Sequence, residues 1–142
     1  LTGCPNRQAL RAWFERWDGD EPVSVVLIDI DNLKRINDHH GSDAGDEALR
    51  LVSGVLKESI RPGDIVVRWG GEEFCLLVHG SPDDAEVIVD RLRSAWAVHG
   101  SGVTFSAGIA AAGADDTKML DRADAALYEA KAAGRNRTIL EA

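Results

Sequence analysis

The sequence predicts an α+β fold, with a mostly antiparallel central sheet surrounded by helices. Three observations predict it. Val23 to Ile30 is an almost unbroken apolar, β-branched run, the pattern of a strand covered on both faces. Residues 65–78 carry a hairpin pattern, two apolar arms with Gly70-Gly71 between them. Stretches of helical periodicity surround these in an order unlike the strict strand-helix alternation of a doubly wound sheet.

Taken along the chain, residues 6–17 place Ala9, Leu10, Trp13, Phe14 and Trp17 at helical spacing, with Asn6 as the cap. The turn-forming stretch 18–22 leads into the central strand, and polar Asp31-Asn32 ends it. A short helix to about Asp38 and breaks at Gly41 and Gly45 precede a longer helix over 46–60, whose stripe is Ala48, Leu49, Val52, Val55, Leu56 and Ile60. In the hairpin, 65–69 and 72–78 are the arms, and a two-residue turn is expected with both glycines at positive φ. Residues 83–98 read as a helix, 103–111 as a strand with Gly108 as its weak point, and 116–133 as the last helix, stopped by Gly134. A terminal strand at 138–140 closes the pattern. No repeat or linker divides the chain, so residues 1–142 are expected to form one domain.

The 142 residues, 44% hydrophobic and 28% charged, suit one packed core. No apolar run approaches the roughly 20 residues that span a bilayer, so no membrane contact by this segment is expected. Cys4 and Cys75 lack the spacing of a disulfide scaffold, which fits a reducing cytoplasm. The net charge of -8 disfavours nucleic acid and anionic lipid as partners. An anionic ligand would therefore need metal ions to mediate its binding.

Strand alternation sends Asp29 and Asp31 to one side and Ile30 to the other. Two carboxylates at a strand end repel each other unless a cation is bound, and they suit Mg²⁺, which takes one or two carboxylates plus substrate phosphates. Helix capping by Asp31 explains the same residues equally well. Glu72 leaves the glycine turn directly, and alternation turns Glu73 to the other face; both also read as edge-strand surface charge. Lys131 and Arg135 share a face if the last helix persists through Gly134, or else simply complement a helix C-terminus. His39 and His40 read as solvent-facing loop residues, and Trp69 and Phe74 as core.

The pentapeptide Gly70-Gly71-Glu72-Glu73-Phe74 resembles the motif that names the GGDEF family. The resemblance continues in order and spacing through Leu1-Thr2-Gly3, Asn6-Arg7, Asp29-Ile30-Asp31, Lys34, Asn37-Asp38, Gly41 and Gly45-Asp46. Residues 123–124, 128–131 and 134–136 match its closing signature, so the resemblance covers essentially the whole chain. Two departures, near Leu33 where the family often has Phe and at Ser42 where it often has His, remove no chemical group that the mechanism needs.

The resemblance implies a fold like that of nucleotidyl cyclases and polymerase palms. It implies a diguanylate cyclase that condenses two GTP into cyclic di-GMP and two pyrophosphates across a homodimer. Asp29, the Ile30 carbonyl and Glu72 would hold two Mg²⁺, with Mn²⁺ as a substitute, and Glu72 or Glu73 would accept a proton. Asn37 and Asp46 would bind guanine, and Lys34, Lys131 and Arg135 the phosphates. A carboxylate at Asp46 suits guanine, whose N1 and N2 both donate, over adenine, whose N1 accepts.

Arg61 and Asp64 stand at the spacing of the family's inhibitory site, where cyclic di-GMP would bind with Arg91 or Arg93 of a neighbouring domain. Without the resemblance they read as a polar turn. Two rivals remain: a noncatalytic receptor for cyclic di-GMP or GTP, and a cyclase making a mixed guanine and adenine product. Because the chain opens at once on the family signature, it is expected to be a segment of a longer protein with an upstream sensor or dimerising module, and whether that protein is membrane-anchored is left open.

Overall fold

The structure is a computed structural model that describes residues 7–17, 19–70, 72–98, 103–112 and 118–141. At its centre lies β1 (Val23–Ile30), all eight residues buried. It pairs antiparallel with β3 (Glu73–His79) on one side and β4 (Phe105–Ala112) on the other. β2 (Ile65–Arg68) extends the sheet antiparallel beyond β3, and β5 (Thr138–Leu140) runs parallel beyond β4, giving the order β2-β3-β1-β4-β5. The sheet is thus mixed but mostly antiparallel, as expected.

Alternation along β1 assigns the helices to two faces. Val26, Ile28 and Ile30 pack with α2 (Leu33–His40), α3 (Ser42–Ser59) and α4 (Pro82–Val98). Val23, Val25 and Leu27 pack with α1 (Arg7–Arg16) and α5 (Met119–Ala132). Each fully buried Val, Leu or Ile contributes roughly 1.5–3 kcal/mol relative to exposure. The strand is therefore anchored on both faces, and whatever its end carries is rigidly placed. Phe74 is fully buried in the first cluster and Trp69 packs against the second, so both belong to the core as expected.

Three local expectations are corrected. Gly45 does not break a helix: α3 starts at Ser42 and runs through it, and a single residue, Gly41 at φ 88°, joins it to α2. A Cβ on Gly45 would lie 1.9 Å from Asn37 Oδ1, so the glycine serves the close approach of α2 and α3. His39 and His40 accordingly stand on α2 and not in a loop. In the hairpin, Trp69 and Gly70 both donate their N–H to the Glu73 carbonyl, which leaves residues 70–72 as the loop, and Gly70 does not take a left-handed φ. The wider loop replaces the two-residue turn; Gly71 lies outside the described residues.

The last helix is also shorter than expected: α5 stops at Ala132. Arg135 N–H donates to Ala130 O at 3.0 Å and Gly134 N–H to Lys131 O at 3.3 Å, a Schellman closure with Gly134 at φ 120°. The helix therefore does not persist through Gly134. The start expected at residue 116 falls partly outside the described residues, as do Asn6 and the opening signature. Gly108 proves to be a contact point: α5 crosses it so closely that a Cβ there would meet Ala123 O and Leu127 N at 2.3 Å.

Candidate active site

The second face of β1 runs Val23, Val25, Leu27 and then Asp29, so the carboxylate continues an apolar row that packs on α5. Asp29 is only 4% exposed, and Lys131, reaching from the last turn of α5, donates to its Oδ2. Its other oxygen, Oδ1, is buried and has no hydrogen-bond partner. The pairing of β1 with β3 brings Glu73 opposite Asp29, and Ile30 N–H donates to Glu72 O at 3.3 Å. The hairpin loop is thereby sewn to the end of the central strand, with Glu72 beside Asp29.

Asp31 plays a different part. Its Oδ1 accepts from Ser106 Oγ at 2.6 Å, and its Oδ2 from Thr104 Oγ1 at 2.7 Å and Asn136 N–H at 3.0 Å. Both oxygens are committed to holding β4 and the turn after α5 against the end of β1. It is not a helix cap, since Asn32 occupies the N-cap of α2 at φ 58° with no side-chain capping bond. The two carboxylates that strand alternation puts on one side therefore divide into Asp29, with one oxygen bonded to Lys131 and one without a partner, and Asp31, with both oxygens bonded.

Carboxylates from β1 and the hairpin gather at this strand end around Lys131. Burial raises the pKa of Asp29, and the charge of Asp31 raises it further against the opposing pull of Lys131. Burial also raises Glu72, with Asp29 and Glu73 adding to the effect. Burial would lower Lys131, but its bond to Asp29 and the charges of Asp29, Glu73 and Glu72 together push it up. For the two acids the largest cause is loss of water, which favours the neutral carboxyl, whereas for Lys131 the facing carboxylates outweigh that loss.

A cavity of about 380 Å³ opens over the cluster. Asp29, Ile30 and Glu72 form its acidic wall. Lys34 and Arg35 of α2, Lys131 of α5 and Arg135 beyond it supply the cations around it. The Schellman closure keeps Lys131 and Arg135 on one cavity even though the helix ends between them. Asn32, Arg35, Asp38 and His39 also line the cavity and were not assigned roles from the sequence. Asn32 had a local signal, because Asn is one of the few residues that adopts a left-handed φ readily.

Asn37 and Asp46 do not line this cavity. Asn37 lies against Gly45, the residue before Asp46, and its Oδ1 is buried without a donor. Arg61 and Asp64 meet at the opposite end of β3. Asp64 accepts from Arg61 N–H at 3.2 Å, Arg61 Nε at 3.3 Å and His79 N–H at 3.0 Å, while Arg61 Nη2 donates to His79 O. The Asp64 side chain is 1% exposed and that of Arg61 52%, so only the arginine faces solvent. Of the two neighbouring arginines, Arg91 is exposed and Arg93 is hydrogen-bonded within the chain. Among the described residues, no three His, Cys, Asp or Glu side chains gather to hold a metal ion, so a cation here would draw its remaining ligands from a bound substrate.

The chain matches the family model described as "Diguanylate cyclase, GGDEF domain" over residues 1–137. It is 41% identical to the diguanylate cyclase DgcP of Pseudomonas aeruginosa over 96% of its length, and 38% identical to the response regulator PleD of Caulobacter vibrioides over 98%. It spans 23% and 35% of those proteins. Among solved structures it resembles the GGDEF domain of DgcB from Caulobacter crescentus in complex with c-di-GMP, with a TM-score of 0.87 and 29% identity, over 99% of this chain and 92% of that one. It also resembles the active GGEEF domain of a diguanylate cyclase from Vibrio cholerae, with a TM-score of 0.85 and 32% identity, over 98% of this chain and 97% of that one.

Proposed function

The chain belongs to the GGDEF family of diguanylate cyclase domains, and on that premise we propose that it condenses two GTP into cyclic di-GMP. The observation that carries this reading is the unpartnered Asp29 Oδ1 beside Glu72, at the floor of a cavity ringed by Lys34, Lys131 and Arg135. An acidic centre inside a basic rim suits a metal-bound polyphosphate better than a bare anion or a neutral ligand.

The donor set fits Mg²⁺, or Mn²⁺ in its place: Asp29, Glu72 and the Ile30 carbonyl supply oxygen, and the buried Asp29 Oδ1, which has no hydrogen-bond partner, is an acceptor that a divalent cation would satisfy. Two ions per site are proposed, held by these three residues together with phosphate oxygens. Bound there, Mg²⁺ neutralises phosphate charge and lowers the pKa of a nearby hydroxyl.

Lys34, Lys131 and Arg135 hold the triphosphate, and Lys131 exchanges its bond to Asp29 for phosphate oxygens as the substrate arrives. Asn37 and Asp46 receive the guanine, whose N1 and N2 donors meet the Asp46 carboxylate and the free Asn37 Oδ1. Glu72 or Glu73 accepts the proton of the 3′-hydroxyl as its oxygen bonds to the α-phosphorus of the other GTP, and the bond from that phosphorus to pyrophosphate breaks. The same step in the opposite sense closes the ring. Each domain brings one GTP, so catalysis needs a two-fold homodimer.

Product inhibition is assigned to Arg61, whose exposed guanidinium offers a paired donor to a guanine or a phosphate, with Asp64 holding it in place. No helix among the described residues is long and apolar enough to cross a membrane, and we assign the domain to the cytoplasm, where GTP is found.

The test is product identification. The domain, fused to a dimerising coiled coil, is incubated with GTP, ATP and Mg²⁺, and the products are separated by mass spectrometry. Cyclic di-GMP alone is expected. A mixed guanine and adenine dinucleotide would overturn the assignment of Asp46, and no cyclic product would overturn the enzyme reading in favour of a receptor.

A further inference from the structure

We propose that Arg93 is a positioning residue for this site: it locks the left-handed turn after α5 in the form that presents Arg135 to the cavity. The proposal rests on the reading of Arg135 as a phosphate ligand. Its starting observation is backbone strain. Gly134, Arg135 and Asn136 stand in succession at φ 120°, 64° and 46°. Glycine adopts such angles freely and asparagine readily, but arginine rarely does, so a run that carries Arg135 through this region needs bonds from elsewhere to stay there.

Arg93 supplies those bonds from beneath. Its Nη1 donates to Asn136 Oδ1 at 3.0 Å and to Phe105 O at 2.7 Å, and its Nη2 donates to Thr138 Oγ1 at 2.8 Å. Its guanidinium also lies 4.2 Å from the centre of the Phe105 ring. One side chain thus joins α4 to the start of β4, the start of β5 and the turn between α5 and β5. Asp31 grips the same turn from the other side through Asn136 N–H, so Asn136 is held between an acid that belongs to the strand end and a base that belongs to α4.

The placement of Arg93 is informative. It falls between Val89 and Trp96 on the buried stripe of α4, where an apolar residue would pack without any loss of hydration. A planar fork of donors is what this position uses, because acceptors from separate elements must be met at once. Lysine would keep the charge but lose the fork and the stacking. Arg135 itself needs a fixed backbone, since a phosphate contact displaced by an ångström loses most of its value.

A double-mutant cycle separates positioning from general support of the fold. Parent, Arg93→Met, Arg135→Ala and the double variant are compared for binding of a non-hydrolysable GTP analogue with Mg²⁺, by calorimetry. Arg93→Met is expected to weaken binding roughly tenfold when Arg135 is present, as for loss of a supporting group around a binding site. In the Arg135→Ala background the further loss should stay within about twofold, the scatter of independent sites.

Equal losses in both backgrounds, or no loss in either, would overturn the proposal. Should Arg93→Met fail to unfold cooperatively, Arg93→Lys and Thr138→Val run through the same cycle with the same expectations. Amide hydrogen exchange at Asn136 provides an independent reading, expected to quicken in the Arg93 variants while β1 and β3 stay protected. If the parent chain binds no analogue, the functional reading fails. Unchanged exchange at Asn136 would then sink the role of Arg93 as well, and faster exchange would uphold its hold on the turn.

Discussion

Gly108→Ala is expected to cost stability and activity together, because this glycine sets how closely α5 approaches the sheet. A Cβ at position 108 would meet Ala123 O and Leu127 N at 2.3 Å and Ala126 C at 2.9 Å. All three are backbone atoms, so no rotamer change relieves the overlap. Restoring an ordinary contact of 3.4 Å from 2.3 Å requires α5 to retreat by about 1.1 Å. A gap of that size forfeits about half the dispersion attraction of each facing atom pair. Ala123, Ala126, Leu127 and Ala130 all lie on that face and are buried.

The net cost should resemble overpacking, about 2–3 kcal/mol. With a slope of about 1–3 kcal/mol/M in urea, the unfolding midpoint should fall by roughly 1 M or more. Lys131 stands one turn beyond Leu127, so the retreat also draws its ammonium away from Asp29. Cyclase activity should therefore drop by more than the folded fraction does. The assay is urea unfolding followed by fluorescence, with turnover measured well below the transition. An unchanged midpoint would refute the close-packing argument, and full activity in a destabilised variant would refute the link from α5 to the site.

Gly45→Ala should act on the ligand and not on the fold. The three atoms nearest its Cβ all belong to the Asn37 side-chain amide, which can turn aside, and alanine favours the helix by up to about 1 kcal/mol, so melting should hold steady or rise. GTP binding should weaken by about 2- to 10-fold, the worth of one hydrogen bond, and unchanged affinity would remove Asn37 from the guanine site. Cys75 is fully buried and its thiol is pushed up to about 12 from an ordinary 9.0, so folding favours the protonated form. Its contribution is complete below pH 9 and declines as pH rises toward 12. Between these limits, unfolding free energy should fall faster in the parent than in Cys75→Ala by about 1.4 kcal/mol per pH unit. Equal slopes would contradict the shift. Arg61→Ala should abolish the slowing of turnover as product accumulates, with pyrophosphate removed and GTP replenished; parallel progress curves would reduce the motif to a turn.

The elements with strong periodicity were legible in the sequence. β1 runs over Val23–Ile30 as read, and α4 and β5 agree closely, because an unbroken β-branched run and a full helical stripe admit few alternatives. Gly45, Gly70 and Gly134 were harder. A glycine marks either a break or a close approach, and only the tertiary partner, Asn37 in the case of Gly45, tells which. The same holds for Asp29 and Asp31: alternation puts both on one face, but Thr104, Ser106 and Asn136, which bind Asp31, lie far along the chain. Arg93 did leave a trace, since an arginine inside the apolar stripe of α4 demands acceptors. Which acceptors depends on strands and a turn that sequence spacing does not reveal.

If Asp29 and Glu72 form the proposed metal-binding centre that turns GTP into cyclic di-GMP, removing either carboxylate should stop product formation in a folded domain. The measurement is the amount of cyclic di-GMP made by the coiled-coil-tethered domain, by Asp29→Ala and by Glu72→Ala, with circular dichroism and urea unfolding run alongside. Neither substitution removes an apolar core residue, so both variants should fold, and product should fall by at least about a hundredfold, the scale seen on removal of a group that stabilises transition-state charge. Turnover near the parent level in either folded variant would rule out these two carboxylates as the metal-binding centre.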